Sequence, residues 1–145
     1  MNIANQVTEK PKQTIDRFGR AYATGRRKTA TARVWIKLGT GKIVINNKNI
    51  DKPLSHKRYK NEILKPFVVL KCEDRFDIIC TVSGGGLSGQ AGAIKHGVSR
   101  ALDIFNPDYH STLSSSKLLT RDNRMVESKK YGKHKARRGT QFAKR

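Results

Sequence analysis

Chemistry in this chain starts from a glycine loop, a basic turn, a basic C-terminal run, four histidines and two cysteines. Gly84-Gly85-Gly86-Leu87-Ser88-Gly89 has the G-x-G-x-x-G spacing, placed after a strand-like run and before a helix-like one, as a dinucleotide site requires. No acidic residue stands at the expected ribose position: Asp103, the first acid after Gly89, comes too early. No strand pattern follows the helix to complete a βαβ unit, and no Lys-Ser/Thr pair follows the loop to make a P-loop. Three readings therefore stand for Gly84, Gly85, Gly86 and Ser88: a cofactor cradle, amides at a helix N-terminus that hold an RNA phosphate, or a structural turn. Cys72 and Cys80 are eight apart without a C-x-x-C pair, and His56, His96, His110 and His134 are scattered. That spacing argues against a metal site, and the cysteines read as small buried hydrophobes of a reducing compartment. No nucleophile, base and orienting acid can be nominated together, so no catalytic residue, metal or cofactor is expected.

Cations are plentiful. Gly25-Arg26-Arg27-Lys28-Thr29 reads as a basic hairpin turn beside a strand carrying Arg33 and Lys37, a grouping suited to phosphate. Trp35 lies on the same outward face, either to stack on a base or to pack under a neighbouring segment. The C-terminal run KKYGKHKARRGTQFAKR holds Lys129, Lys130, Lys133, Lys135, Arg137, Arg138, Lys144 and Arg145 and no acid. With two large hydrophobes, Tyr131 and Phe142, and no periodicity, this run cannot bury enough surface to order itself alone. It reads as an arm that folds onto nucleic acid.

The whole chain has 145 residues, 31 Lys+Arg against 11 Asp+Glu and a net charge of +20. Removing the eight tail charges leaves +12 on residues 1–128. Such a charge calls for a polyanion as partner. No apolar run is long enough to span a bilayer, no basic amphipathic helix suits a membrane surface, and the segment from Met1 to Arg20 lacks the apolar stretch of a secretory leader. The length suits one domain with a modest core.

The elements that must position these residues follow from periodicity. Ala21–Thr24 is a short strand. In residues 29–37, Ala30, Ala32, Val34 and Ile36 share one face of a second strand. Gly39-Thr40-Gly41 turns into Lys42–Ile45, a hairpin closed by Asn46-Asn47. Pro53–Leu64 is mixed and helical in part, and Pro66–Leu70 is a short buried helix with proline in its first turn, or else a strand. Phe76–Val82 is a long strand. Ala91, Ile94, Val98, Ala101, Leu102 and Phe105 form one helical stripe, with Lys95, His96, Ser99 and Arg100 away from it. Asn106-Pro107 ends that helix and caps a shorter one that fades in Ser114–Ser116. The expectation is a two-layer α+β domain with helices on one face.

Four segments carry a resemblance: GRRKTATARVWIK at 25–37, SGGGLSGQAGAIKHGVSRAL at 83–102, TRDNRMVESKKYGKHKARR at 120–138, and the terminal QFAKR. Together, from about Arg20 to Arg145, the chain resembles the family of protein nine of the small ribosomal subunit, in its bacterial and organellar branch. The resemblance implies a β-β-β-α-β-α domain with a mixed sheet and a left-handed crossover, docked in the subunit head, in a bacterial cytoplasm or a mitochondrial matrix. Residues 1–19 have no firm counterpart in the family and read as a mobile extension; the resemblance implies an rRNA-binding body at 20–118 and an extended basic tail at 119–145. The tail would thread through rRNA from Lys129 to Arg138 and touch peptidyl-site tRNA with Lys144 and Arg145. Gln90, His96, Arg121 and Arg124, within the matching motifs, join Arg26, Arg27, Lys28, Arg33, Lys37 and the glycine loop as expected rRNA contacts. The implied partners are small-subunit rRNA, that tRNA and neighbouring proteins of the head, with no homo-oligomer. The family usually has a serine where Ala143 stands. The rival readings are a DNA-compacting basic protein and a nucleotide-dependent enzyme.

Overall fold

The computed structural model describes residues 15–50 and 56–143. In chain order the elements are β1 (Ala21–Arg27), β2 (Ala30–Leu38), β3 (Ile43–Ile45), the two-residue β4 (Lys48–Asn49), α1 (Lys57–Leu70), β5 (Phe76–Ser83), α2 (Leu87–Phe105) and α3 (Tyr109–Ser115). The strands make one sheet in the order β1-β2-β5-β3-β4. All neighbours are antiparallel except β3 and β5, which run parallel. This is the mixed sheet expected. No helix among the described residues is long and apolar enough to cross a membrane.

Alternation along the strands decides which face is buried. Ala21, Ala23, Ala30, Ala32, Val34, Ile36, Ile78, Cys80 and Val82 point into the core, where Ile63, Phe67, Ile94, Val98, Leu102 and Leu113 from the helices meet them. The opposite face carries Tyr22, Arg33, Trp35, Lys37, Ile79 and Thr81, none of them buried. Both cysteines are free and buried. Burial pushes the Cys80 thiol up to about 12 and raises that of Cys72, so both stay protonated and inert.

Four expectations need correction. β1 continues through Arg27, so Arg26 and Arg27 are strand residues, and the turn is Lys28-Thr29, with Lys28 left-handed at φ 50. Residues 39–41 do not close a β2–β3 hairpin, because β5 pairs with both strands and lies between them. Asp77 holds that loop open by accepting the N–H groups of Thr40 at 2.9 Å and Lys42 at 3.0 Å. Asn46-Asn47, both at positive φ, instead join β3 to β4. The third correction concerns α1, a single helix with Pro66 in its interior. The lost N–H and ring clash of an internal proline cost about 3 kcal/mol, which burial of Pro66 with Ile63 and Phe67 opposes. Finally, Ser99 is fully buried, its hydroxyl donating to the Lys95 carbonyl at 2.9 Å; it belongs to the packed side of α2.

Helix α2 lies on β1 and β2 at backbone distance, and glycines make this possible. A Cβ on Gly25 would stand 1.9 Å from the Ala93 carbonyl oxygen and 2.3 Å from the Gly97 nitrogen. A Cβ on Gly97 would stand 2.6 Å from Val34 Cγ2. Side chains here would force the helix off the sheet. Gly25→Ala is therefore expected to destabilise the fold by about 2–3 kcal/mol, read as a lower midpoint in urea unfolding with the slope unchanged.

Candidate nucleic-acid interface

The glycine loop is built by packing. Gly84 and Gly85 adopt φ of 71° and 64°, a region that favours glycine. A Cβ on Gly84 would come 2.7 Å from the Thr29 carbonyl oxygen, and one on Gly85 3.1 Å from the Ala30 nitrogen. The loop thus sits against the β1–β2 turn. Gln90 closes it from the helix side, donating its side-chain amide to the Gly84 carbonyl at 3.2 Å. Gly86 caps α2 without a side-chain hydrogen bond, and Ser88 follows in the first turn.

Beside this helix start lies a cleft of about 350 Å³ lined by Arg26 and Arg27 of β1, Arg58 of α1, Lys95 of α2, Lys117 after α3, and the carboxylates Glu62 and Asp122. Glu62 pairs with Lys95, and this hydrogen bond draws the Glu62 pKa below its usual value. Asp122 pairs with Arg27 at 2.8 Å. Arg26, Arg58 and Lys117 have no carboxylate partner among the described residues. Arg58, Lys95 and Lys117 carried no sequence signal of their own, since they stand far apart in the chain and meet only in the fold.

The tail leaves the body at a fixed root. His96 of α2 accepts the Arg26 N–H on Nδ1 at 3.3 Å, while its Nε2 lies 3.3 Å from the Leu119 carbonyl oxygen. One ring nitrogen must accept and the other donate, so the neutral imidazole fits and the imidazolium does not. Burial, helped by the charges of Arg100, Arg121 and Lys95, holds the His96 pKa below the ordinary 6.5, although the Leu119 carbonyl pulls it upward. Both ring nitrogens are thus spent on the protein itself, which makes His96 a positioning residue in this geometry. Arg100 adds a second tie, donating to the Thr24 carbonyl at 2.7 Å.

Beyond Leu119 the described tail has no helix or strand. Two acids organise it. Asp122 takes the Arg124 backbone N–H at 3.0 Å and its guanidinium at 2.7–3.2 Å, and those bonds hold its carboxyl far below the usual range. Glu127 takes Lys130 at 2.6 Å and Arg137 at 3.0 Å, drawing the two ends of the intervening loop together. Sequence reasoning missed this pair, although they are the two acids of residues 119–145. Lys129, Lys133, Lys135 and Arg138 have no carboxylate partner among the described residues, nor does Arg121. Tyr131 and Phe142 are fully exposed. Lys144 and Arg145 lie outside the described residues.

The model of the family described as ribosomal protein S9/S16 matches residues 25–145. The chain belongs to this family. It is 58% identical over 139 residues to the small ribosomal subunit protein uS9 of Rickettsia conorii, covering 96% of this chain and 87% of that one. With the protein of the same name from Rickettsia felis the identity is 57% over 143 residues, covering 99% and 89%. The family is the one the four motifs pointed to, and membership makes the chain a structural constituent of the small ribosomal subunit rather than an enzyme.

The His96 geometry carries a pH dependence. A depressed pKa means the unfolded chain binds the proton more tightly, so this contribution is complete above pH 6.5 and is lost as pH falls through the lower folded value. Urea unfolding is expected to show stability declining as pH drops below 6.5, with the decline flattened in His96→Gln.

Proposed function

We propose that the chain binds small-subunit rRNA in the subunit head through two separate grips, a folded body and a basic tail, and that the tail ends at peptidyl-site tRNA. The observation that carries this reading is the tail: an arm without regular structure, anchored at Leu119 and Asp122, whose lysines and arginines outnumber its two acids. Cations without internal partners are free to replace the counterions of phosphates. On the body, Arg26 and Lys28 at the end of β1, together with the cationic cleft beside α2, would fix its register on the RNA. Within the cleft, Arg27 would act through Asp122 as well as on phosphate. Arg33, Lys37, Arg121 and Arg124, with the amides around Gly84–Gly86, Ser88 and Gln90, complete the proposed rRNA contacts. Lys129, Lys130, Lys133, Lys135, Arg137 and Arg138 would hold rRNA along the tail, leaving Lys144 and Arg145 for the tRNA. At the tip an arginine fork can grip two phosphate oxygens, whereas lysine acts as a point charge. Neighbouring proteins of the head are the remaining partners in this reading.

The six tail cations assigned to rRNA, at about 0.7–0.9 released ions each, give the tail a salt slope of roughly −4 to −5. A chain ending at Ser128 is expected to lose that much of the slope when rRNA affinity is measured against salt. Removing residues 141–145 should weaken retention of peptidyl-site tRNA while leaving incorporation into subunits intact. Loss of incorporation on that short deletion would contradict the division between body and tail.

A further inference from the structure

The sheet face turned away from the helices is not explained by packing within the described residues. Register places Tyr22, Trp35, Ile79 and Val44 in one row across β1, β2, β5 and β3, on the face opposite the core. Tyr22 is 41% exposed and Ile79 39%, so no described segment covers this row. The rings of Tyr22 and Trp35 lie 5.2 Å apart. The Arg33 guanidinium sits over both, 5.1 Å from the Trp35 ring and 5.9 Å from that of Tyr22.

Charge selects the occupant. The flanking rows carry Arg33 on one side and Lys37 on the other. The carboxylate on this face among the described strands, Asp77, is already spent on the Thr40 and Lys42 amides and lies 3.8 Å from Lys37. A protein partner would have to bury these cations against its own acids; an RNA strand brings phosphates for them and flat bases for the rings.

We propose that this open sheet face is an RNA base-stacking platform, on which unpaired bases lie against Trp35, Tyr22 and the Arg33 guanidinium while Lys37 holds a flanking phosphate. The inference rests on the RNA-binding reading above and adds to it a class of target: single-stranded loop or bulge nucleotides, as distinct from the duplex phosphates that the tail and cleft can grip.

Trp35 is the sole tryptophan of the chain, so its emission reports on this face alone. The full chain would be titrated with an RNA stem-loop bearing an unpaired loop and with a blunt RNA duplex of equal phosphate number, following binding by the anisotropy of the labelled RNA. At matched saturation the stem-loop should quench Trp35 and the duplex should not. Trp35→Leu should weaken the stem-loop about 5- to 100-fold and leave duplex affinity unchanged, with Trp35→Phe retaining most of the loop preference. Equal quenching by both RNAs, quenching by neither, or an equal loss of both affinities in Trp35→Leu would overturn the platform. So would a Trp35 response that appears only when other proteins of the subunit head are added, which would make the face a protein interface. Should neither RNA bind at all, the RNA-binding reading itself fails, a result distinct from binding without quenching. The wild-type emission and the Trp35→Phe variant keep the test valid if Trp35→Leu does not fold.

Discussion

The contact between α2 and the β1–β2 pair governs the rest of the molecule. Because Gly25 and Gly97 carry no side chain, the helix descends onto the strand backbones, and everything along it is placed by that approach. Its outer side then brings Lys95 beside Glu62, His96 against the β1 edge and Arg100 onto the Thr24 carbonyl. Its start brings the glycine loop onto the β1–β2 turn. Its packed side seals the core. A chain with +20 and a modest apolar content repels itself, and close packing over a short contact is one way to hold a small core against that repulsion.

The same contact connects fold to function, since it fixes where the tail begins. His96 reaches Leu119 and Arg27 reaches Asp122, so a segment without regular structure starts from a defined point and direction. Farther out, Asp122 and Glu127 each gather basic neighbours. The two acids temper repulsion near the root, while Lys133, Lys135 and Arg138 keep no carboxylate partner among the described residues. Anchoring matters energetically, because a tail with a fixed origin explores less volume before it meets RNA than one hinged freely to the body.

Much of this was legible in the residues. Alternation in 30–36 and 76–82 and the stripe from Ala91 to Phe105 pointed to β2, β5 and α2, because burial on one face leaves a periodic trace. The motifs pointed to the family. What escaped depended on partners distant in sequence. Gly25 and three cations look like a turn until α2 is laid beside them. The order of β2, β5 and β3 needs a strand that arrives only after α1 has intervened. Pro66 reads as a helix start because the burial that offsets its internal cost is tertiary. Nothing local in the sequence pointed to the two partners of the His96 ring, Arg26 in β1 and Leu119 after α3. The cleft cations Arg58, Lys95 and Lys117 share no local pattern. Lys144 and Arg145 rest on the motif alone.

Body and proximal tail are proposed to hold rRNA, and the tip of the tail peptidyl-site tRNA. The most direct measurement is photo-cross-linking in reconstituted small subunits carrying peptidyl-site tRNA, with benzoylphenylalanine in place of Phe142 or, separately, of Tyr131. Position 142 is expected to give adducts to the peptidyl-site tRNA and position 131 adducts to rRNA. Adducts to rRNA alone from both positions would contradict that assignment.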